Sequence, residues 1–124
     1  MGSRFTIRAE HPAYARKIVR STLTGASSQA VDTAALLTSV LVTNAMTRTE
    51  ADPQLFLDAR EGHIYVEVRD SVATPNGPPL PVEPARPQGM GLAIVDALAT
   101  SWGTESRGEG EAVWFDLKFS PAPT

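Results

Sequence analysis

The sequence predicts an α+β domain, a two-layer sandwich in which a mostly antiparallel sheet carries helices on one face. Three observations lead to this prediction. Segments in which apolar residues alternate with polar ones occur near both ends and in the middle of the chain, segments with apolar residues at helical spacing lie between them, and successive strands are joined by short turns. Short turns make neighbouring strands antiparallel, and amphipathic helices then pack on one face of the sheet.

Length and composition restrict the class of protein. The chain has 124 residues, the size of one domain (1–124), with 42 % hydrophobic and 20 % charged residues, which is typical of a soluble globular protein. We find neither the run of about 20 apolar residues that a membrane helix needs nor the apolar core of a secretory signal, so we expect a cytoplasmic location. The absence of cysteine excludes disulfides and thiol nucleophiles, and the net charge of −3 argues against non-specific binding to nucleic acid.

The first two elements are a short strand and an amphipathic helix. Residues 4–8 alternate, with Phe5 and Ile7 on one face, which predicts a strand. Residues 13–23 have apolar positions at helical spacing and basic residues mostly elsewhere. The apolar positions are Tyr14, Ile18, Val19 and Leu23, and the basic ones are Arg16, Lys17 and Arg20. The basic side has two interpretations, a partner surface or a solvated face.

The second helix is the element around which the rest is organised. Residues 32–47, DTAALLTSVLVTNAMT, predict a helix that Ser28 or Asp32 caps. Its apolar stripe consists of Leu37, Val40, Leu41 and Ala45, and Asn44 falls on the same stripe. A buried amide costs about 1–3 kcal/mol for each group left unpaired. Asn44 therefore either bonds a neighbouring carbonyl or caps the helix end, or it offers its carbonyl oxygen to a ligand or to a cation such as Mg²⁺.

Two strands and a turn follow. In residues 54–60 and 64–70 apolar side chains alternate with polar and aromatic ones, which predicts a hairpin with one face covered by helices. The covered face would consist of Leu55, Leu57, Ala59, Ile64, Val66 and Val68. The second strand ends at Asp70.

Residues 71–88 interrupt this pattern. They hold six of the ten prolines, which keep a segment extended and prevent pairing. A loop of this length in a small domain is either functional or disordered. It leads through Gly89-Met90-Gly91 into a predicted helix over residues 92–99, whose buried side chains would be Leu92, Val95 and Leu98. Residues 101–107 and 112–119 predict the last two strands, and residues 120–124 a flexible tail.

Three features that are distant in sequence can form one site. Asn44 lies near a helix end, Asp70 at a strand end, and Gly89 and Gly91 at a helix start. Glycine N–H groups at a helix start can approach a phosphate, and the helix dipole favours its negative charge. An aspartate can accept a hydrogen bond from an exocyclic amine such as that of adenine, and an asparagine carbonyl can hold magnesium against phosphates. Taken singly, the same features also occur in turns and on solvated surfaces.

The motifs LVTNA (41–45), VEVRD (66–70), GMGLAIVDALATSWG (89–103) and VWFDL (113–117) together resemble the ATP-binding domains of the GHKL superfamily. The similarity is greatest to the short, single-domain anti-sigma-factor serine kinases of actinobacteria, and it spans nearly the whole chain. It implies the Bergerat (histidine-kinase-like ATPase) fold, a lid over residues 71–88, and ATP or ADP with Mg²⁺ as ligands. By this resemblance Asn44 is the magnesium ligand, Asp70 reads adenine, and the glycines lie on the phosphate side. The implied nucleotide-binding residues are Asn44, Asp70, Arg86, Gly89, Met90, Gly91 and Leu92.

The sequence departs from this family at the general base. In the kinases a glutamate precedes the LVTNA run and acts as the base, whereas this chain has Val40. The basic residue after the Asn-Ala pair, usually histidine, aligns with Arg48, and the lid has no glycine before Gly77. Asp32, at the other end of the helix, and Glu50, in the following loop, do not replace the base. Loss of a positioned general base lowers a rate by about 10²- to 10⁴-fold.

The sequence therefore predicts a regulatory protein of the anti-sigma-factor type, which binds a sigma factor or an antagonist of the STAS type and has weakened or absent kinase activity. Two alternatives remain. One is an active serine/threonine kinase that phosphorylates the antagonist with Mg-ATP, and the other is a scaffold without nucleotide. The resemblance also suggests a homodimer, and it implies no direct contact with nucleic acid or with a membrane.

Overall fold

Strands and helices follow one another in the order that the sequence predicts. The structure, a computed structural model, describes residues 3–8, 11–46, 53–69, 89–107 and 110–119. The elements in these ranges are β1 (Ser3–Arg8), α1 (Pro12–Thr22), α2 (Ser28–Met46), β2 (Gln54–Arg60), β3 (His63–Arg69), α3 (Gly89–Leu98), β4 (Ser101–Arg107) and β5 (Gly110–Lys118). None of the helices in these ranges is both long enough and apolar enough to cross a membrane.

The strands form one sheet in the order β1-β2-β3-β5-β4, with β3 at its centre. Each neighbouring pair among these described strands is antiparallel. One face of the sheet and the inner sides of all three helices contribute to a single cluster of buried side chains, which includes Leu41, Val66, Leu92 and Phe115. The predicted two-layer α+β architecture is therefore confirmed.

The helix α2 begins earlier than the sequence predicts. Ser27, rather than Ser28 or Asp32, caps it, because the Ser27 Oγ accepts a hydrogen bond from the Ala30 N–H at 3.2 Å. Ser28 is the first helical residue. Asp32 lies within the helix and accepts a hydrogen bond from the Arg20 guanidinium of α1 at 2.8 Å. The caps predicted for this helix are therefore wrong, and α2 is longer at its start.

Two side chains predicted to lie on apolar faces are exposed instead. Tyr14 is 44 % exposed, because the buried stripe of α1 runs through Ala15, Val19 and Leu23, one position further along. Leu98 is 47 % exposed, because it is the last residue of α3, at the point where the chain leaves the helix for β4. In α3 the fully buried side chains are Leu92 and Val95, as predicted.

The turn between β2 and β3 depends on a glycine in the left-handed region. Gly62 has a φ of +75°, which other residues rarely adopt. Its carbonyl oxygen accepts a hydrogen bond from the Phe119 N–H at 3.0 Å, so the residue that follows β5 is held against this turn. The alternation predicted for the hairpin is confirmed, since the predicted inner side chains of both strands are buried.

Candidate functional site

The helix α2 extends from one end of the sheet to the other. Its start lies beside the β2–β3 turn, because residues 22–26 and residues 59–62 line the same cavity. With 19 residues, α2 is about 28 Å long, which is enough to cross the sheet along β3, whose seven residues span about 23 Å. Its last turn, with Asn44, therefore lies at the end of the sheet where β3 ends at Arg69. Asp70, the next residue, lies outside the described ranges.

The helix α3 directs its first turn toward the same end of the sheet. Its C-terminal end lies near the β2–β3 turn. Thr100, two residues after the helix, donates its N–H to the Asp116 carbonyl at 2.8 Å, and Asp116 lies near the end of β5 that adjoins this turn. Leu92, near the start of the helix, is fully buried in the common core. The helix therefore lies over the sheet, with its first turn farther from the β2–β3 turn than its last. The topology thus brings the start of α3 and the end of α2 to one side of the molecule.

The predicted phosphate-side glycines lie within α3 and not in front of it. The helix begins at Gly89, three residues before the predicted start, so Gly89, Met90 and Gly91 form its first turn. The N–H groups of a first turn have no acceptor within the helix, and this turn has no acidic side chain. It therefore presents a positive dipole end to any anion that approaches. Leu92 is occupied by core packing, so only its backbone could contact a ligand.

Val40 and Asn44 lie one helical turn apart on α2. Asn44 is half-buried, and its side-chain nitrogen is buried. Val40 is also half-buried and packs against the core cluster. The stripe on which the sequence analysis located them is confirmed, with Leu37, Leu41 and Ala45 buried. The position that the resemblance aligns with the kinases' general base is therefore occupied by an apolar side chain in contact with the core.

No described carboxylate on α2 substitutes for that base. Asp32 lies 12 residues before Asn44, which corresponds to about 18 Å along the helix axis. Its carboxylate is bound to Arg20 of α1 at 2.8 Å. Glu50, Arg48, Arg86 and the predicted lid over residues 71–88 lie outside the described ranges.

The described residues could contribute one ligand to a magnesium ion. Among them, no three His, Asp or Glu side chains stand close enough together to share a metal ion. Mg²⁺ usually binds through one or two protein oxygens and completes its coordination with water and substrate phosphates. The amide oxygen of Asn44 fits this mode, with nucleotide phosphates as the other ligands.

Sequence reasoning missed a polar network on the other face of the sheet. Glu67 is only 1 % exposed. It accepts a hydrogen bond from the Tyr65 hydroxyl at 2.6 Å and contacts the Arg69 Nε. The alternation of β3 did assign these three residues to one face, but nothing local indicates that the middle one is buried.

A cavity of about 280 Å³ lies at the opposite end of the sheet from Asn44. Its walls come from the α1–α2 connection, the β2–β3 turn and Phe119. Leu23 and Ala59 supply buried apolar surface, while Arg60 and Glu61 are exposed. This cavity is therefore separate from the predicted nucleotide site, and no pattern in the sequence indicates it.

No protein-family model matches this chain, and neither does any curated protein. Its function is therefore inferred from its own residues and their arrangement.

Proposed function

We propose that this chain is a cytoplasmic regulatory protein of the GHKL superfamily, of the anti-sigma-factor type. It acts by binding a sigma factor or a STAS-type antagonist, and it transfers phosphate weakly or not at all. Asn44, Asp70 and the first turn of α3 form its nucleotide site, and residues 71–88 form the lid over it. This proposal includes the Bergerat fold, for which the order of elements and the helices on one face of an antiparallel sheet are supporting features.

The observation that carries the proposal is that Val40 and Asn44 lie on adjacent turns of α2. Asn44 retains the amide that would bind Mg²⁺ beside the nucleotide phosphates. Val40, one turn earlier, brings an apolar side chain where a kinase of this type has its carboxylate base. Nucleotide binding and phosphoryl transfer can therefore separate in this protein, because binding depends on Asn44 and transfer depends on a proton acceptor.

Phosphoryl transfer depends mainly on positioning and on neutralisation of phosphate charge. Bound Mg²⁺ would supply part of that neutralisation. The chain would supply the rest from the N–H groups of Gly89, Met90 and Gly91 and from the dipole of α3. A site with these parts but no base should hold nucleotide while a serine hydroxyl of the partner remains protonated.

The test is transfer of labelled phosphate from ATP to a STAS-type antagonist. We expect little transfer by the wild-type protein and an increase of about 10²-fold, the lower end of the contribution of a general base, for Val40→Glu. Thr43→Glu is the matched control, since Thr43 is exposed on the same helix and lies about 100° from Asn44 around the helix axis. Rapid transfer by the wild-type protein would support the active-kinase alternative instead.

Nucleotide binding needs its own measurement. We expect calorimetric titration with ADP and Mg²⁺ to give sub-millimolar binding, which Asn44→Ala and Asp70→Asn should each abolish. The control is Gln29→Ala, which changes an exposed side chain at the far end of α2 and should leave the affinity unchanged. A protein that binds no nucleotide while still binding its partner would be the scaffold alternative.

A further inference from the structure

The cavity at the start of α2 has no part in the proposed nucleotide site. Its volume is about 280 Å³. An engineered apolar cavity of about 150 Å³ in another protein binds benzene, so a cavity of nearly twice that volume has room for a ligand of about ten non-hydrogen atoms. The cavity therefore has the size of a site for a small metabolite, too small for a nucleotide.

Gly25 leaves space in the wall of the cavity that its backbone does not require. Among the described glycines only Gly62 has a positive φ, so the backbone of Gly25 is compatible with an L side chain. A Cβ added to Gly25 would meet no atom within 4 Å. Gly62 differs, because an added Cβ there would lie 3.2 Å from the Phe119 carbonyl oxygen. The structural effect of glycine at position 25 is therefore open space, and a larger side chain there can fill the cavity.

The buried part of the cavity wall is apolar. Leu23 and Ala59, which line it, are only 6 % and 5 % exposed. Ala26 and Phe119 also line it, and both are half-buried. An apolar group of a ligand loses contact with water at this surface, which favours its binding.

Two consecutive residues in the wall carry opposite charges. Arg60 and Glu61 both line the cavity, and both are exposed. The Arg60 Nε lies 3.3 Å from Asp58, and the remaining N–H groups of the guanidinium can bind a carboxylate. The helix α1 ends at Thr22, in the same wall. The C-terminal end of a helix carries partial negative charge, so this end and Glu61 together favour an ammonium group.

We propose that this cavity binds a free amino acid with an apolar side chain, such as leucine. The carboxylate of the amino acid pairs with Arg60, and its ammonium group pairs with Glu61 and with the end of α1. Its side chain lies against Leu23, Ala59 and Phe119. Because the cavity lies at the opposite end of the sheet from Asn44, this site goes beyond the proposed function and does not depend on it.

A ligand with a single charge matches these residues less well. A carboxylate without an ammonium group would leave Glu61 unpaired beside it, and an amine without a carboxylate would leave Arg60 in the same position. An uncharged ligand would use neither charge. The zwitterion is therefore the class of ligand whose charges match both residues.

Calorimetric titration of the full chain with leucine and two analogues tests the inference. The analogues are 4-methylpentanoate, which lacks the ammonium group, and 3-methylbutylamine, which lacks the carboxylate. We expect a sub-millimolar dissociation constant for leucine. Each analogue should bind about tenfold more weakly, because each loses one charge-assisted hydrogen bond. Equal binding of the three ligands, or no binding of leucine at about 10 mM, would overturn the proposal.

Two charge-neutralising variants test the contacts. Arg60→Met should weaken the binding of leucine about tenfold without weakening that of the amine, and Glu61→Gln should weaken leucine similarly without weakening the carboxylate analogue. Arg4→Met is the matched control, because Arg4 also lies near Asp58, at 3.9 Å, and does not line the cavity. It should leave the affinity for leucine unchanged, and an effect equal to that of Arg60→Met would contradict the assigned contact.

Filling the cavity tests the location of the site. Gly25→Leu should abolish leucine binding, while Ala13→Leu, at an exposed position of α1 outside the cavity, should not. Urea denaturation checks that Gly25→Leu is folded, with a free energy of unfolding no lower than that of the wild type. In the wild-type chain, leucine should shift the backbone amide NMR signals of residues 22–26 and 59–62. Shifts confined to other residues, or undiminished binding by a folded Gly25→Leu variant, would overturn the proposal.

Discussion

A carboxylate buried on an uncovered sheet face is the most unusual feature at the scale of single residues. The Glu67 side chain is 2 % exposed although no described helix lies above it. Its own neighbours cover it: Tyr65 donates a hydrogen bond to one oxygen, and Arg69 contacts the other and extends toward the Phe56 ring. A buried carboxylate must be hydrogen-bonded or paired with a charge to be tolerated, and Tyr65 and Arg69 of the same strand meet this need.

Replacement of Glu67 should therefore destabilise the fold. We expect Glu67→Ala to lower the free energy of unfolding by about 2 kcal/mol, because the Tyr65 hydroxyl loses its acceptor and Arg69 loses its counter-charge. Arg69 is 41 % exposed and can regain water, which limits the loss. Urea denaturation measures the effect. Glu61→Ala, at an exposed turn position, should change the value by less than about 0.5 kcal/mol, and equal effects would show that the network adds nothing.

At the scale of elements, the two ends of α2 are the parts that matter for the candidate site. Its start is set by the Ser27 cap, and its last turn carries Asn44. The helix is buried on several sides, between α1 and α3 and above β3 and β5. Thr38 remains compatible with this burial because its hydroxyl donates to the Ala34 carbonyl at 2.8 Å. The position of Asn44 at the end of the sheet follows from this length and this packing.

The assignment of the cap can be tested by substituting two adjacent serines, Ser27 and Ser28, one at a time. We expect Ser27→Ala to lower the free energy of unfolding by about 1 kcal/mol, because the Ala30 N–H loses its acceptor at the helix start. Ser28→Ala should change it by only a few tenths of a kcal/mol, since Ser28 is an exposed helical residue. Urea denaturation of both variants provides the comparison. A larger loss for Ser28→Ala would mean that the helix starts at the predicted cap after all.

At the scale of the whole molecule, one core joins the two layers. The buried cluster contains residues from α1, α2 and α3 and from β2, β3 and β5. Leu41 of α2 is fully buried in it, while Leu36 of the same helix is 42 % exposed. Stability of the sheet and stability of the candidate site are therefore coupled, because α2 carries both core residues and Asn44.

The same substitution at these two leucines should separate the contribution of the core from that of helix propensity. We expect Leu41→Ala to lower the free energy of unfolding by about 3–5 kcal/mol, since it removes buried methyl groups and leaves a cavity. Leu36→Ala should cost less than about 1 kcal/mol. Domains of this kind are stable by about 5–15 kcal/mol in total, so Leu41→Ala should shift the urea midpoint strongly. Similar shifts for both variants would contradict the assigned core.

Local patterns were sufficient for the order of elements and for most of the core. Alternation in β2, β3 and β5 and helical spacing in α2 depend only on neighbouring residues, so they can be seen in the sequence. The first residue of α2 could not be assigned in this way, because Ser27, Ser28 and Asp32 are equally good caps by residue type. The exposure of Leu98 was also missed, since it depends on where α3 ends relative to β4.

The sequence by itself determined the order of the strands and helices, most of their apolar faces, and that Val40 stands one turn before Asn44. Only the tertiary structure decided the strand order β1-β2-β3-β5-β4, and with it which residues of neighbouring strands lie side by side. The physical reason is the range of the interactions. Periodicity reflects contacts between residues a few positions apart, whereas strand pairing joins segments as distant as β1 and β2, whose order depends on the packing of the entire chain.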